Sequence, residues 1–193
     1  MRTEKPDAAG AASAKAPAAQ YLTFLLGEEV YAMDIRTVHE IIQFGPMTTV
    51  PLMPDFVRGV INLRGAVVPV IDLQSRFGRQ RAAVGKKSCI VIFDAVPNLD
   101  RSNGRSEGQP GERIELGLLV DAVSEVIEIG AEAIEPPPNF GTSVRRDFIC
   151  GIGKVAKRFI IILDPDKAFD VEELATLRRP AELAELAESA EAA

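Results

Sequence analysis

Residues 56–73, FVRGVINLRGAVVPVIDL, hold two apolar runs that meet at Arg64-Gly65. Val60, Ile61 and Leu63 precede the junction; Val67, Val68, Val70 and Ile71 follow it. Branched side chains pack well on a pleated surface and glycine supplies a turn, so this stretch predicts a β-hairpin. Asn62-Leu63-Arg64-Gly65 then lies at the hairpin's end, where an arginine can reach solvent or a partner. Pro69 has no N–H to give to a ladder, so its strand is expected to be an edge or to carry a bulge. Asp72 is placed to cap one helical turn that stops at Gly78.

The same order of residues returns near the other end of the chain. Gly151 to Asp164 spans the same 13 positions as Gly59 to Asp72, and each span closes with an apolar run before its Asp. Phe77 and Phe169 each follow their Asp by five residues. A second pair precedes these: Val38-x-Glu40-Ile41-Ile42 and Val123-x-Glu125-Val126-Ile127. Chance among common strand residues is one explanation; two similar β lobes in one chain is the other.

The 193 residues are 47% hydrophobic, enough for one substantial core or two small ones. A formal charge of −6, with no basic stripe, argues against a general nucleic-acid binder. Cys89 and Cys150 lie far apart inside apolar runs and read as small buried hydrophobes in a reducing compartment. No apolar run approaches the ~20 residues of a membrane span, so direct membrane insertion is not expected. The Ala- and Pro-rich N-terminus lacks the pattern of a signal peptide, and a cytoplasmic location follows by elimination.

Residues 1–20 are expected to be a disordered lead. Tyr21–Leu26, Val30–Met33, Glu40–Phe44, Lys86–Phe93, Ile149–Gly153 and Phe159–Leu163 read as strands, with Asp34 capping a short helical turn. Glu115–Val120 and Ser124–Ile129 read as a strand pair bending at Asp121. Residues 97–113 read as a long surface loop, and residues 171–193 as a helical acidic tail divided by Pro180. Roughly ten short strands with few helical turns predict a mainly β double barrel.

Support for catalysis is thin. His39 is the one histidine and has no evident Ser or Cys partner. Carboxylates are scattered rather than clustered for a metal. Gly151-Ile152-Gly153-Lys154 resembles a phosphate loop only faintly, lacking the spacing and the Ser/Thr of a Walker sequence. No catalytic residue, metal or cofactor is therefore expected. Glu40 and Arg64 are better leads, read either as an exposed salt bridge or as a charged rim around an apolar contact patch. Gly59, Gly65 and Gly151 serve either backbone turns or the close approach of a partner.

Asn62-Leu63-Arg64-Gly65 followed by Val68-Pro69-Val70-Ile71-Asp72-Leu73 resembles the signature of the CheW family of bacterial chemotaxis coupling proteins. Val38-x-Glu40-Ile41, Gly117–Asp121 with Val123–Val126, and Gly151-Ile152-Gly153 match further family positions in order. The resemblance covers about Tyr21 to Phe169 and implies a domain over residues 21–170, with two SH3-like five-stranded β-barrel lobes packed around a shared core. It further implies a non-enzymatic scaffold joining the cytoplasmic tip of methyl-accepting chemoreceptors to the regulatory domain of the histidine kinase CheA. Such a protein would be recruited to membrane-associated receptor arrays. The positions that would face the receptor are Val38, Glu40, Ile41, Gly59, Arg64, Cys89, Val126 and Gly151. The kinase-facing residues are not assigned. An adaptor of a non-flagellar pathway, serving pilus motility or gene regulation, fits the same fold. A small enzyme or nucleotide-binding module would need an acid–base pair or a phosphate cradle that the sequence does not offer. Three features depart from the family: the length of residues 97–113, Cys89 where an aliphatic residue is common, and the long tail.

Overall fold

The computed structural model describes residues 18–51, 53–95, 114–137, 146–156 and 158–167. Eleven strands form there: β1 Ala19–Leu26, β2 Glu29–Asp34, β3 Val38–Gln43, β4 Val57–Leu63, β5 Ala66–Asp72, β6 Cys89–Ala95, β7 Ile114–Val120, β8 Ala122–Ile129, β9 Ile134–Glu135, β10 Ile149–Val155 and β11 Arg158–Leu163. One helical turn, α1 Leu73–Arg76, follows β5. The expected lead (residues 1–20) falls mostly outside the described residues, as do the 97–113 loop and the tail; β1 itself begins at Ala19.

The strands divide into two sheets. An inner lobe, contiguous in sequence, has the order β3-β6-β7-β5-β4. An outer lobe, built from both ends of the chain, has the order β8-β1-β2-β11-β10-β9. Both follow one plan. An edge strand pairs antiparallel with a hairpin, the hairpin pairs parallel with an incoming strand, and that strand pairs antiparallel with its own hairpin partner. The inner lobe has the five strands expected, and the outer lobe adds the two-residue β9. An isolated bridge, Thr48 to Val60, holds the place of β9 in the inner lobe, as Glu135 pairs with Ile152 in the outer one.

A shared core joins the sheets. Phe24, Tyr31 and Met33 of the outer lobe pack in one cluster with Ile71, Val91, Phe93 and Leu118 of the inner lobe and with Phe148. Apolar burial at the interface of the two sheets is what makes them one body. The inner lobe keeps a second cluster of its own, around Val68, Val70, Ile90 and Ile92.

Three expectations need correction. Pro69 lies in an interior strand, and the bulge belongs to β4, between Val57 and Gly59. The proline costs no bond because Val60, opposite it, spends its N–H and C=O on Thr48, while the ladder to β7 begins only at Val70. Next, β7 and β8 are not partners: the chain crosses from one lobe to the other at Asp121, and β8 pairs with β1. Finally, the cysteines are not buried: Cys89 is half-buried and Cys150 exposed, since strand alternation turns Cys150 away from the core.

Candidate functional site

Arg64 owes its display to a two-residue turn. β4 and β5 pair up to Leu63 and Ala66, leaving only Arg64 and Gly65 between them, at φ 55° and 90°. Positive φ at both central residues matches the twist of the flanking strands. The side chain of Asn62 accepts the Gly65 N–H at 2.9 Å and closes the turn. Arg64 then projects into solvent, 80% exposed, and donates to Glu40 Oε2 at 3.0 Å. The two leads are thus partners of each other, across the seam between β4 and the edge strand β3.

The neighbouring positions on β3 divide by alternation. Ile41 is 42% exposed although it is a large aliphatic residue, and Val38 packs half-buried on the shared core. A register shift between Val38 and Glu40 leaves His39 as an extra residue opposite β6. Its imidazole turns to Asp94 at 3.1 Å and Glu115 at 3.6 Å, two carboxylates directly opposite each other on β6 and β7. Nothing local in the sequence signals this contact, because it depends on the bulge and on two distant strands. Cys89 sits farther along the ladder, opposite Gln43.

The outer lobe places Val126 on its own edge strand, β8, at 47% exposure. A bulge precedes it, held by Thr23, whose hydroxyl donates to the Glu125 carbonyl at 2.7 Å and accepts from the Glu125 N–H at 3.2 Å. Val126 is to β8 what Ile41 is to β3.

Gly59 and Gly151 are not surface contacts. Both are buried at the roots of the two equivalent hairpins. A Cβ on Gly59 would lie 2.5 Å from the Thr48 carbonyl oxygen, and one on Gly151 would lie 2.8 Å from that of Glu135. They admit the protein's own backbone. The structure therefore brings Glu40 and Arg64 into contact, exposes Ile41 at the next position of β3, sets Val126 at the position matching Ile41 on the other lobe, and gives the two glycines a role in the fold.

The chemistry available is that of contact. Among the described residues no group of His, Cys, Asp and Glu could hold a metal. Partial desolvation of an otherwise exposed side chain, with Asp164 adding to it, pushes the Cys150 thiol up to about 11, which is the opposite of an activated nucleophile. The residues Gly151 to Lys154 lie within β10 and form no loop. Among the described residues no helix is long and apolar enough to cross a membrane.

Comparison with known proteins agrees with this geometry. The family model described as "CheW-like domain" matches residues 20–173. The chemotaxis protein CheW of Klebsiella aerogenes is 33% identical over 81% of this chain and 84% of its own length. That of Treponema pallidum is 30% identical over 82% and 86%. The crystal structure of the scaffolding protein TtCheW from Thermoanaerobacter tengcongensis superimposes with a TM-score of 0.67 at 35% identity, covering 86% of this chain and 96% of that one. The chain belongs to the CheW-like domain family.

Proposed function

We propose that this member of the CheW-like domain family is a non-enzymatic adaptor that couples chemoreceptors to the kinase CheA in bacterial chemotaxis, and that it grips the receptor with one edge strand of each sheet, β3 and β8. The observation that carries the division of labour is the equivalence of Ile41 and Val126. Each is a large aliphatic residue exposed on an edge strand of its sheet, next in sequence to a glutamate. Exposed edges that carry apolar side chains are an aggregation hazard unless something covers them. An amphipathic helical hairpin, such as a receptor tip, supplies an apolar stripe of the right kind. Glu40 and Arg64 would set its register through charge, and Val38 and Cys89 would line the floor behind them. Gly59 and Gly151 act on this site through the hairpin roots. The kinase regulatory domain would dock elsewhere, on one lobe, and signal would pass as a change in relative placement. Residues 21–170 would form the coupling unit, and receptor binding would bring it to membrane-associated arrays.

The test is a pull-down of the full chain with a receptor cytoplasmic fragment and with the CheA regulatory domain, separately and together. Capture of each alone, and of all three as a complex, is expected. Folded protein that captures neither cognate partner would refute the coupling role.

A further inference from the structure

We infer that Arg76 is a positioning residue that sets the spacing of the two lobes, and through it the receptor groove; the effect on binding rests on the coupling function proposed above. Phe56 leads into β4 and Phe148 into β10, the same place in the two equivalent hairpins. The equivalence extends to the backbone: the Phe56 carbonyl accepts the Asp72 N–H at 2.8 Å, and the Phe148 carbonyl accepts the Asp164 N–H at 2.9 Å. One guanidinium lies over both rings, Arg76 Cζ being 4.7 Å from the Phe56 centroid and 5.0 Å from that of Phe148. A planar cation can stack on an aromatic face, whereas a lysine ammonium is a point charge. Arg76 thus touches the roots of both hairpins at once.

The residue comes from α1, which belongs to the inner lobe, and its neighbours along the chain also reach across. Phe77 stacks on Phe148 and on Tyr31, with centroids 6.3 and 5.8 Å apart. Gln74 donates to both carboxylate oxygens of Asp121, at 3.1 and 3.0 Å, and Asp121 Oδ2 also accepts the Gly27 N–H at 2.6 Å. Arg79 pairs with Glu29 on β2. Most of these contacts fasten α1 to the outer lobe in general; Arg76 joins the roots of the two equivalent hairpins themselves. Arg64 stands at the tip of the hairpin rooted at Phe56, and Gly151 lies three residues beyond Phe148.

The experiment compares the wild type with Arg76→Lys and Arg76→Ala in the full chain. Spin labels at Thr49→Cys and Arg158→Cys, one in each lobe, report the inter-lobe distance, with Cys89 and Cys150 replaced by Ala. Thermal melts identify any variant that fails to fold; Arg76→Lys keeps the charge and is the decisive one. A broadened or shifted distance distribution is expected, with affinity for the receptor fragment reduced about fivefold and affinity for the kinase domain within about twofold. Unchanged label distances together with unchanged receptor affinity in Arg76→Lys would overturn the inference. Should the wild type itself fail to bind the receptor fragment, the coupling function falls, while the label distances still decide whether Arg76 positions the lobes.

Discussion

The two root-to-tip hairpins, β4–β5 and β10–β11, share their bulge, their glycine and their closing aspartate, yet they end differently. Asp72 is fully buried and accepts from Ser75 N–H at 3.1 Å and Ala82 N–H at 2.9 Å, with Arg58 at 3.5 Å. Asp164 is half-buried and pairs with Lys167 at 2.7 Å. One copy of the aspartate organises the inner-lobe segment whose side chains reach the other lobe; the other closes a surface turn. The tips differ as well. In the inner lobe, Asn62, Arg64 and Gly65 make a closed turn with a displayed cation. In the outer lobe, Lys154 pairs with Glu135 at 2.6 Å and Phe159 is left 66% exposed. Repetition gives the two lobes one scaffold, and small changes at the ends of the repeat give each its own task.

The largest effect that would test this equivalence is at the glycines. Gly59→Ala should cost about 3 kcal/mol, because a Cβ meets backbone at 2.5 Å and φ is +155°. Gly151→Ala faces a similar obstruction without the positive φ and should cost less, about 1–2 kcal/mol. Denaturant unfolding compares them directly; equal costs would show that φ contributes nothing.

Next come the aspartates. Asp72→Ala leaves one buried and one partly buried N–H group without its acceptor and should lose about 2–4 kcal/mol, whereas Asp164→Ala should lose under about 1 kcal/mol. Equal losses in calorimetric melts would contradict the asymmetry of the two copies.

Arg64→Glu should leave stability within about 1 kcal/mol, since an exposed pair contributes little, while it weakens receptor binding about tenfold. Partial recovery in the double variant Glu40→Arg/Arg64→Glu would show that the pair itself sets register. Normal receptor binding by Arg64→Glu would remove it from the site.

The smallest effect is on the Glu29–Arg79 contact between the lobes. Burial alone would raise the Glu29 carboxyl, but the Tyr31 hydroxyl and Arg79 outweigh it and hold the group below its usual 4.5. A lowered folded value means that the contact stabilises fully above the ordinary carboxylate range and loses this contribution as pH falls through the lowered value. Glu29→Gln should therefore flatten the acid limb of stability below about pH 4.5 and change little at neutral pH. An unchanged acid limb would show that this carboxylate does not link the lobes.

Local features were legible in the sequence, and non-local ones were not. The hairpin, the turn at Arg64-Gly65 and the Asp72 cap follow from residues adjacent in the chain, as does the Asp34 cap, whose side chain accepts the Arg36 N–H at 2.9 Å. The repeat was visible because its two copies keep the same spacing. Strand partnership was not: the apolar runs of β7 and β8 read alike whether they pair or part, and only the shared core separates them. The interior place of Pro69 is not legible locally, because the decisive fact is which way the N–H and C=O of Val60 point. Glu40 and Arg64 were legible as exposed charges, but their mutual contact needs β3 and β4 to meet across the seam. Arg76 reads as an ordinary surface residue until Phe56 and Phe148, far apart in sequence, come together.

The most direct test of the two-lobe grip is the affinity of a receptor cytoplasmic fragment for Ile41→Asp, Val126→Asp and the wild type, measured by titration calorimetry with the CheA regulatory domain as a control. Each substitution, on its own lobe, should weaken receptor binding at least about tenfold and leave kinase-domain binding unchanged, as expected for apolar anchors in one interface. Full receptor affinity in either variant would confine the interface to a single lobe and contradict the account.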